Sequence, residues 1–254
     1  MKIKRVILST DNNSFYYQFW STVAKCWSSW GVIPTLCVVS ENKIEEIDES
    51  LGDVYYIKPN KNYPIAQQSQ ICRFFLAAQF PEDVCLISDI DMAPLNKNYF
   101  IDGVKNFDEE DFIVYSSDAY SLGNPAYPAY PMCYMASKGK NFKQIIGGNL
   151  NNFTDVLPSW MSMGFGWHTD EKAFFIKLKK WEKQIAKNKK IITLKRGFQI
   201  NSSPIGIRRI DRATASNYNE KLLLNNFYID YHMPRPYDKN KQIIDNIIKL
   251  SNQD

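Results

Sequence analysis

Val84 to Leu95 reads VCLISDIDMAPL, and this stretch decides the architecture. Four apolar residues in unbroken succession, Val84 to Ile87, suit a strand covered on both faces, as parallel strands between helical layers are. The run opens into Ser88, Asp89, Ile90 and Asp91, so two carboxylates leave the carboxyl end of a buried strand. In open α/β sheets ligands bind at that edge, because the loops leave there and the strand ends fix their geometry. Paired aspartates at such a bend offer hard oxygen ligands suited to Mn2+ or Mg2+ and unsuited to zinc.

Before this stretch, apolar residues recur at helical spacing from Ala66 to Phe80, and Pro81 ends the run. Further upstream, Lys4 to Ser9 reads as a first strand, Phe15, Phe19, Val23 and Trp27 as a helix stopped by Gly31, and Pro34 to Val39 as a second strand. Val54 to Ile57 is a third. Downstream, Phe112 to Tyr115 repeats the strand-into-polar pattern and ends at Ser116, Ser117 and Asp118. Tyr127 to Ser137, interrupted by proline, reads as edge or loop structure. Trp160 to His168 reads as a loop, Thr169, Asp170 and Glu171 as a helix start, and Ile243, Ile244, Ile247 and Ile248 as a closing amphipathic helix.

The 254 residues contain no proline- or glycine-rich linker, which predicts one α/β domain, 1–254. Apolar residues make up 44%, enough for a sizeable core. The net charge of +4 is too small for a nucleic-acid binder, and no G-x-G-x-x-G follows a strand. Five cysteines, an odd number with no C-x-x-C pair, fit reduced thiols better than a disulfide framework. The apolar run near the amino terminus is too short for a signal segment and no stretch suits a membrane span, so a cytoplasmic location is expected. The Asn12, Asn152 and Asn201 sequons are read as chance on that ground. From Lys177 to Arg196 there are nine Lys/Arg and one acid, with Phe174, Leu178, Trp181 and Ile185 at helical spacing. A basic amphipathic helix over 174–196 is expected, its aromatic stripe on the core or its basic face on anionic lipid at a membrane surface.

With these pieces in this order, most of the chain resembles the GT-A glycosyltransferases, in particular glycosyltransferase family 8 and related nucleotide-sugar transferases. VCLISDIDMAPL resembles their donor-site motif. The resemblance implies a Rossmann-like GT-A domain whose mostly parallel central sheet is flanked by helices. Residues 1–118 would bind the nucleotide-sugar, and residues 119–254, with the closing helix, the acceptor. It implies that Ser9, Thr10 and Asp11 hold base and ribose, and that Ser69 and Arg73, on a helix similar to the family's SxxxR helix, face the donor with Ser88 and Asp89. Asp89, Asp91 and His232 would ligate the metal, with Arg235 on the leaving diphosphate. The segment from Asp230 to Tyr237 departs from the family, which has a glycine and a lysine there. Asp170 and Glu171 resemble the acidic pair set over sugar and acceptor, as candidate bases, and Asp118 is a third carboxylate for donor-sugar hydroxyls. The partners implied are a UDP-sugar and a carbohydrate acceptor. The late histidine suits a retaining enzyme and Asp170 an inverting one, so stereochemistry stays open.

Two other readings fit the aspartates. A haloacid-dehalogenase-type phosphotransferase would use Asp89 as nucleophile and Asp91 as acid/base, but it wants Thr or Val where Ala93 stands. A transferase scaffold without turnover would be a carbohydrate-binding protein.

Overall fold

The computed structural model describes residues 1–119, 129–148, 150, 152–184, 189–196 and 208–251. Strand β1 (Arg5–Asp11) is followed by the short helix α1 (Ser14–Tyr17), helix α2 (Trp20–Ser29), and strands β2 (Ile33–Val39) and β3 (Asp53–Ile57). Helix α3 (Ile65–Ala77) leads into β4 (Val84–Ser88), and the three-residue β5 (Met92–Pro94) follows the aspartates at once. Then come α4 (Lys97–Phe100), β6 (Phe112–Val114), β7 (Tyr134–Lys138), α5 (Gly139–Ile146), α6 (Phe153–Met161) and α7 (Thr169–Glu182). The chain continues through β8 (Ile191–Thr193), β9 (Arg209–Ile210), α8 (Glu220–Leu224), β10 (Asp230–His232) and α9 (Tyr237–Ser251).

Seven strands form one sheet in the order β3-β2-β1-β4-β7-β6-β8. From β3 to β4 neighbours run parallel, β7 is antiparallel to both β4 and β6, and β6 and β8 are parallel. Alternation along each strand feeds two cores. Val6 and Leu8 of β1 and Leu86 of β4 pack with Trp20, Trp27 and Ile244, whereas Ile7, Cys85 and Ile87 pack on the other face with Phe74, Trp160 and Phe174. With both faces covered, both alternating sets of side chains are buried, which is why Val6–Leu8 and Val84–Ile87 read as unbroken apolar runs.

Several sequence expectations need correction. Tyr134–Lys138, expected at an edge or in a loop, is a strand inside the sheet, paired on both sides; Pro131, which suggested otherwise, precedes the strand and removes no ladder bond. The basic helix does not run to Arg196. It ends at Glu182, and the β-branched Ile191–Thr193 adds a strand beside β6. Phe174, Leu178 and Trp181 are buried in the core, while Ile185 lies outside the described residues. Trp160 belongs to α6, which holds Pro158, and the loop expected from it onward begins only after Met161. All five cysteines are buried and unpaired. No helix among the described residues is long and apolar enough to cross a membrane.

Where β7 turns into α5, Gly139 meets the end of α3 at very close range. A Cβ there would lie 2.1 Å from the Phe80 carbonyl oxygen and 2.4 Å from that of Ala77. Only glycine lets these backbones meet.

Two features of topology build the site. The chain runs outward from β1 to β2 and β3, yet β4 lies on the opposite side of β1. The carboxyl ends of β1 and β4 therefore flank a switch point, where adjacent loops diverge and leave a crevice. A second sheet, β5-β10-β9, pairs β10 antiparallel to β5 with His232 opposite Met92, and parallel to β9.

Candidate active site

At the switch point opens a cavity of about 620 Å³. Ser9, Thr10 and Asp11 line it from the end of β1, Ser69 and Arg73 from α3, and Asp89 and Asp91 from the bend after β4. Asp170 and Glu171 enter from the start of α7, and His232 and Arg235 from β10 and the turn beyond it. Ser88 and Asp118 are not among the lining residues. Ser88 is fully buried and its carbonyl lies 3.4 Å from Nη1 of Arg73. Asp118 is buried and accepts the Arg196 N–H at 2.8 Å.

Arg73 organises one side. Helix α3 sends its guanidinium under the β4 end, where it is 3% exposed, too deep to be charged without partners. Nη1 pairs with Oδ1 of Asp89, and Nη2 donates to Oδ2 of Asp170 at 3.0 Å. Burial opposes the charge on Arg73, but the two carboxylates outweigh it and hold the guanidinium above its ordinary pKa. For Asp170, burial pushes the carboxyl up to about 6; Arg73 pulls it back, and Glu171 and Asp89 push further. An acid poised there changes its proton occupancy near neutral pH. Glu171 lies 3.2 Å from Nδ1 of His168.

The other side gathers around Asp91, 6% exposed. Because β10 pairs with β5, Nε2 of His232 comes to 3.5 Å from Oδ2 of Asp91, and the Met233 N–H donates to the Asp91 carbonyl at 2.9 Å. Arg212 approaches the same carboxylate oxygen to 3.6 Å, and Nε of Arg235 to 3.9 Å. Burial pushes the Asp91 carboxyl up, His232 and Arg235 pull it down, and Asp89 pushes up again. Arg235 also contacts the Tyr16 hydroxyl, its guanidinium 4.8 Å from the Tyr16 ring centroid. His232 Nδ1 is 3.3 Å from Asp211 and its ring touches Arg212.

Adjacent ligands of an ion bound at about 2.1 Å lie roughly 3 Å apart, and Nε2 of His232 stands 3.5 Å from Oδ2 of Asp91. Asp89, two residues from Asp91 on the same bend, is engaged by Arg73. Among the described residues no three acidic, histidine or cysteine groups converge with metal-site geometry. Two of the three expected ligands are together, and the third is at hand on a 37% exposed side chain.

Sequence reading missed Arg209, Arg212 and Gln70, which also line the cavity. Arg209 is tied to the buried Asp230, with Nε 2.8 Å from Oδ1, whereas Arg212 faces Asp91 and His232. Gln70 carries a buried Oε1 with no hydrogen-bond partner among the described residues. The cluster Arg208-Arg209-Ile210-Asp211-Arg212 was the available signal, but a short basic cluster more often marks a solvated surface.

A switch-point crevice in a mostly parallel sheet, floored by a strand-end aspartate pair, places the chain among the open α/β folds that bind ligands at the carboxyl edge of the sheet. No family model and no curated protein matches the chain. Among solved structures it superposes on an active-site variant of the galactosyltransferase LgtC with a TM-score of 0.50 at 10% identity, covering 97% of this chain and 95% of that one. It superposes on the apo form of the glycosyltransferase GlyE of Streptococcus pneumoniae TIGR4 with a TM-score of 0.50 at 11% identity, covering 100% of this chain and 61% of that one. The inositol-1-phosphate CTP transferase from T. maritima matches with a TM-score of 0.46 at 9% identity, over 100% of this chain and 98% of that one. The chain has the GT-A fold.

Proposed function

We propose that the protein is a metal-dependent glycosyltransferase that moves a sugar from a nucleotide-diphosphate sugar, with a UDP-sugar favoured, to a hydroxyl of a carbohydrate acceptor. The observation that carries this reading is the meeting of Asp91 and His232 on the floor of the switch-point cavity. Asp91, His232 and Asp89 would hold Mn2+ or Mg2+, which when bound supplies a Lewis acid for the charge that develops on the departing diphosphate. Arg235 and Arg212 bring fixed cationic donors to the same locality, where charge-assisted bonds strengthen as the sugar leaves. Ser9, Thr10 and Asp11, across the crevice on β1, take base and ribose, with Ser69 beside them on α3. On this reading residues 1–118 hold most of the donor, with His232, Arg212 and Arg235 reaching it from residues 119–254, the part that otherwise serves the acceptor.

Arg73 sets Asp89 and Asp170 in register through one guanidinium. In an inverting reaction Asp170 or Glu171 removes the acceptor proton; in a retaining one the same carboxylates hold sugar hydroxyls. The phosphotransferase reading needs Asp89 to attack phosphorus, yet Arg73 holds one oxygen of that carboxylate.

The test is nucleoside diphosphate release from a panel of nucleotide sugars with Mn2+, with and without chelator, for wild type and Asp91→Ala. Release that stops on chelation and is lost in a folded Asp91→Ala protein supports the reading. A fully active Asp91→Ala protein refutes it, wild-type binding without release points to the carbohydrate-binding reading, and phosphomonoester hydrolysis alone points to the phosphotransferase.

A further inference from the structure

Trp167 is 56% exposed on the rim of the cavity. The chain treats its other tryptophans differently: Trp20, Trp27 and Trp160 are at most 1% exposed, Trp181 is 5% exposed, and Trp30 is partly buried against the core. An aromatic face presented to a cavity supplies the apolar surface with which small-molecule sites are lined. Its presentation is also fixed. Trp167 is the middle residue of a 3-10 turn, Gly166–His168, that runs directly into α7. The turn is closed by the His168 N–H on the Phe165 carbonyl at 3.2 Å and by the Thr169 hydroxyl on the Gly166 carbonyl at 2.7 Å.

The surroundings define the ligand chemistry. Three and four residues on, Asp170 and Glu171 line the same cavity, with His168 beside them. A flat apolar face next to carboxylates and an imidazole matches a pyranose, which offers C–H groups on one face and hydroxyls around its edge. Different elements bring this face and the proposed donor residues to the one cavity: Ser9, Thr10 and Asp11 come from the end of β1 and Asp91 from the bend after β4, whereas Trp167 and the acidic pair come from the start of α7.

We infer that Trp167 is the stacking platform for the acceptor sugar, with its indole face against the ring whose hydroxyl receives the transferred group. The assignment rests on the glycosyltransferase reading for the word acceptor, but contact between Trp167 and a sugar can be measured without turnover. Intrinsic fluorescence of wild type and Trp167→Phe is titrated with methyl glycosides of glucose, galactose and N-acetylglucosamine, in the presence of UDP and Mn2+. At least one glycoside shifts or quenches wild-type emission, and Trp167→Phe loses that response. If no glycoside moves wild-type emission, or if Trp167→Phe keeps the response, the inference is overturned. In the kinetic arm, Trp167→Ala raises the acceptor KM about tenfold, the loss expected for a stacking contact, and moves the donor KM less. Trp167→Phe restores most of the acceptor KM. Equal changes in both KM values refute the platform. Absence of donor turnover in wild type, by contrast, counts against the transferase reading and leaves the fluorescence result to decide the sugar contact.

Discussion

Nε2 of His232 lies 3.5 Å from Oδ2 of Asp91, and the two are brought together by a ladder of only three residues on each side, β5 against β10. Asp91 precedes the first residue of β5 and His232 is the last of β10, so in an antiparallel pair they fall at the same end. If both ligate the cation, His232→Ala weakens Mn2+ binding by about a hundredfold with nucleotide present. Titration followed by the electron paramagnetic resonance of free Mn2+ measures this; an unchanged affinity removes His232 from the metal shell.

Arg212 shares Asp91 with Arg235, leaving two guanidinium groups over one carboxylate. That excess of positive charge suits a diphosphate. Arg212→Gln is expected to weaken UDP binding about tenfold in calorimetry, the loss for one charge-assisted contact. It should leave uridine binding unchanged, since the nucleoside carries no phosphate.

The Asp170 carboxyl, pushed by burial up to about 6, makes the site pH-dependent. If its ionised form accepts the proton, kcat/KM rises as pH climbs through about 6 and levels off above it, and Asp170→Asn removes that limb. For stability the sign is opposite. The folded value lies above the ordinary 3.8, so the native state holds the proton longer than the unfolded chain. This contribution is complete below 3.8 and is lost as pH rises through about 6. Urea unfolding of wild type and Asp170→Asn across that window should show wild type gaining stability relative to the variant as pH falls from above 6 toward 3.8.

Gly139 tests the fold independently of chemistry. A methyl at this position meets two backbone carbonyls that cannot move aside as side chains do. Gly139→Ala should cost about 1–3 kcal/mol in denaturant unfolding. Activity per folded molecule should stay at the wild-type level.

Legibility in the sequence followed burial. The central strands β1, β2 and β4 announce themselves because both faces are covered and most of their positions are apolar, and Asp89 and Asp91 stand out against that background. β7 is equally buried but holds Ser137, whose hydroxyl donates to the Asp111 carbonyl at 2.8 Å, and it follows a proline-rich stretch, so local pattern misled. β5 and β9 are three and two residues long, too short for any periodicity. Their pairing with β10 is a long-range fact, and Arg209 and Arg212 reach the cavity only through it. The Arg73–Asp170 pair was likewise invisible as a contact, although both residues were singled out, because it joins two helices across 97 positions of chain. Residues 120–128, which include the start of the Tyr127 to Ser137 stretch, and the Asn201 sequon lie outside the described residues.

The small sheet also carries a consequence for biosynthesis. A ribosome makes the aspartate bend early, but the strand that delivers the histidine comes after residue 229. At about 5–20 residues per second, the nascent chain spends several seconds with its donor crevice begun and its cation pocket lacking one wall. The proposed activity therefore switches on only after release of the late segment, and a chain cut between Thr193 and Asp230 carries every strand of the large sheet yet lacks His232 and Arg235.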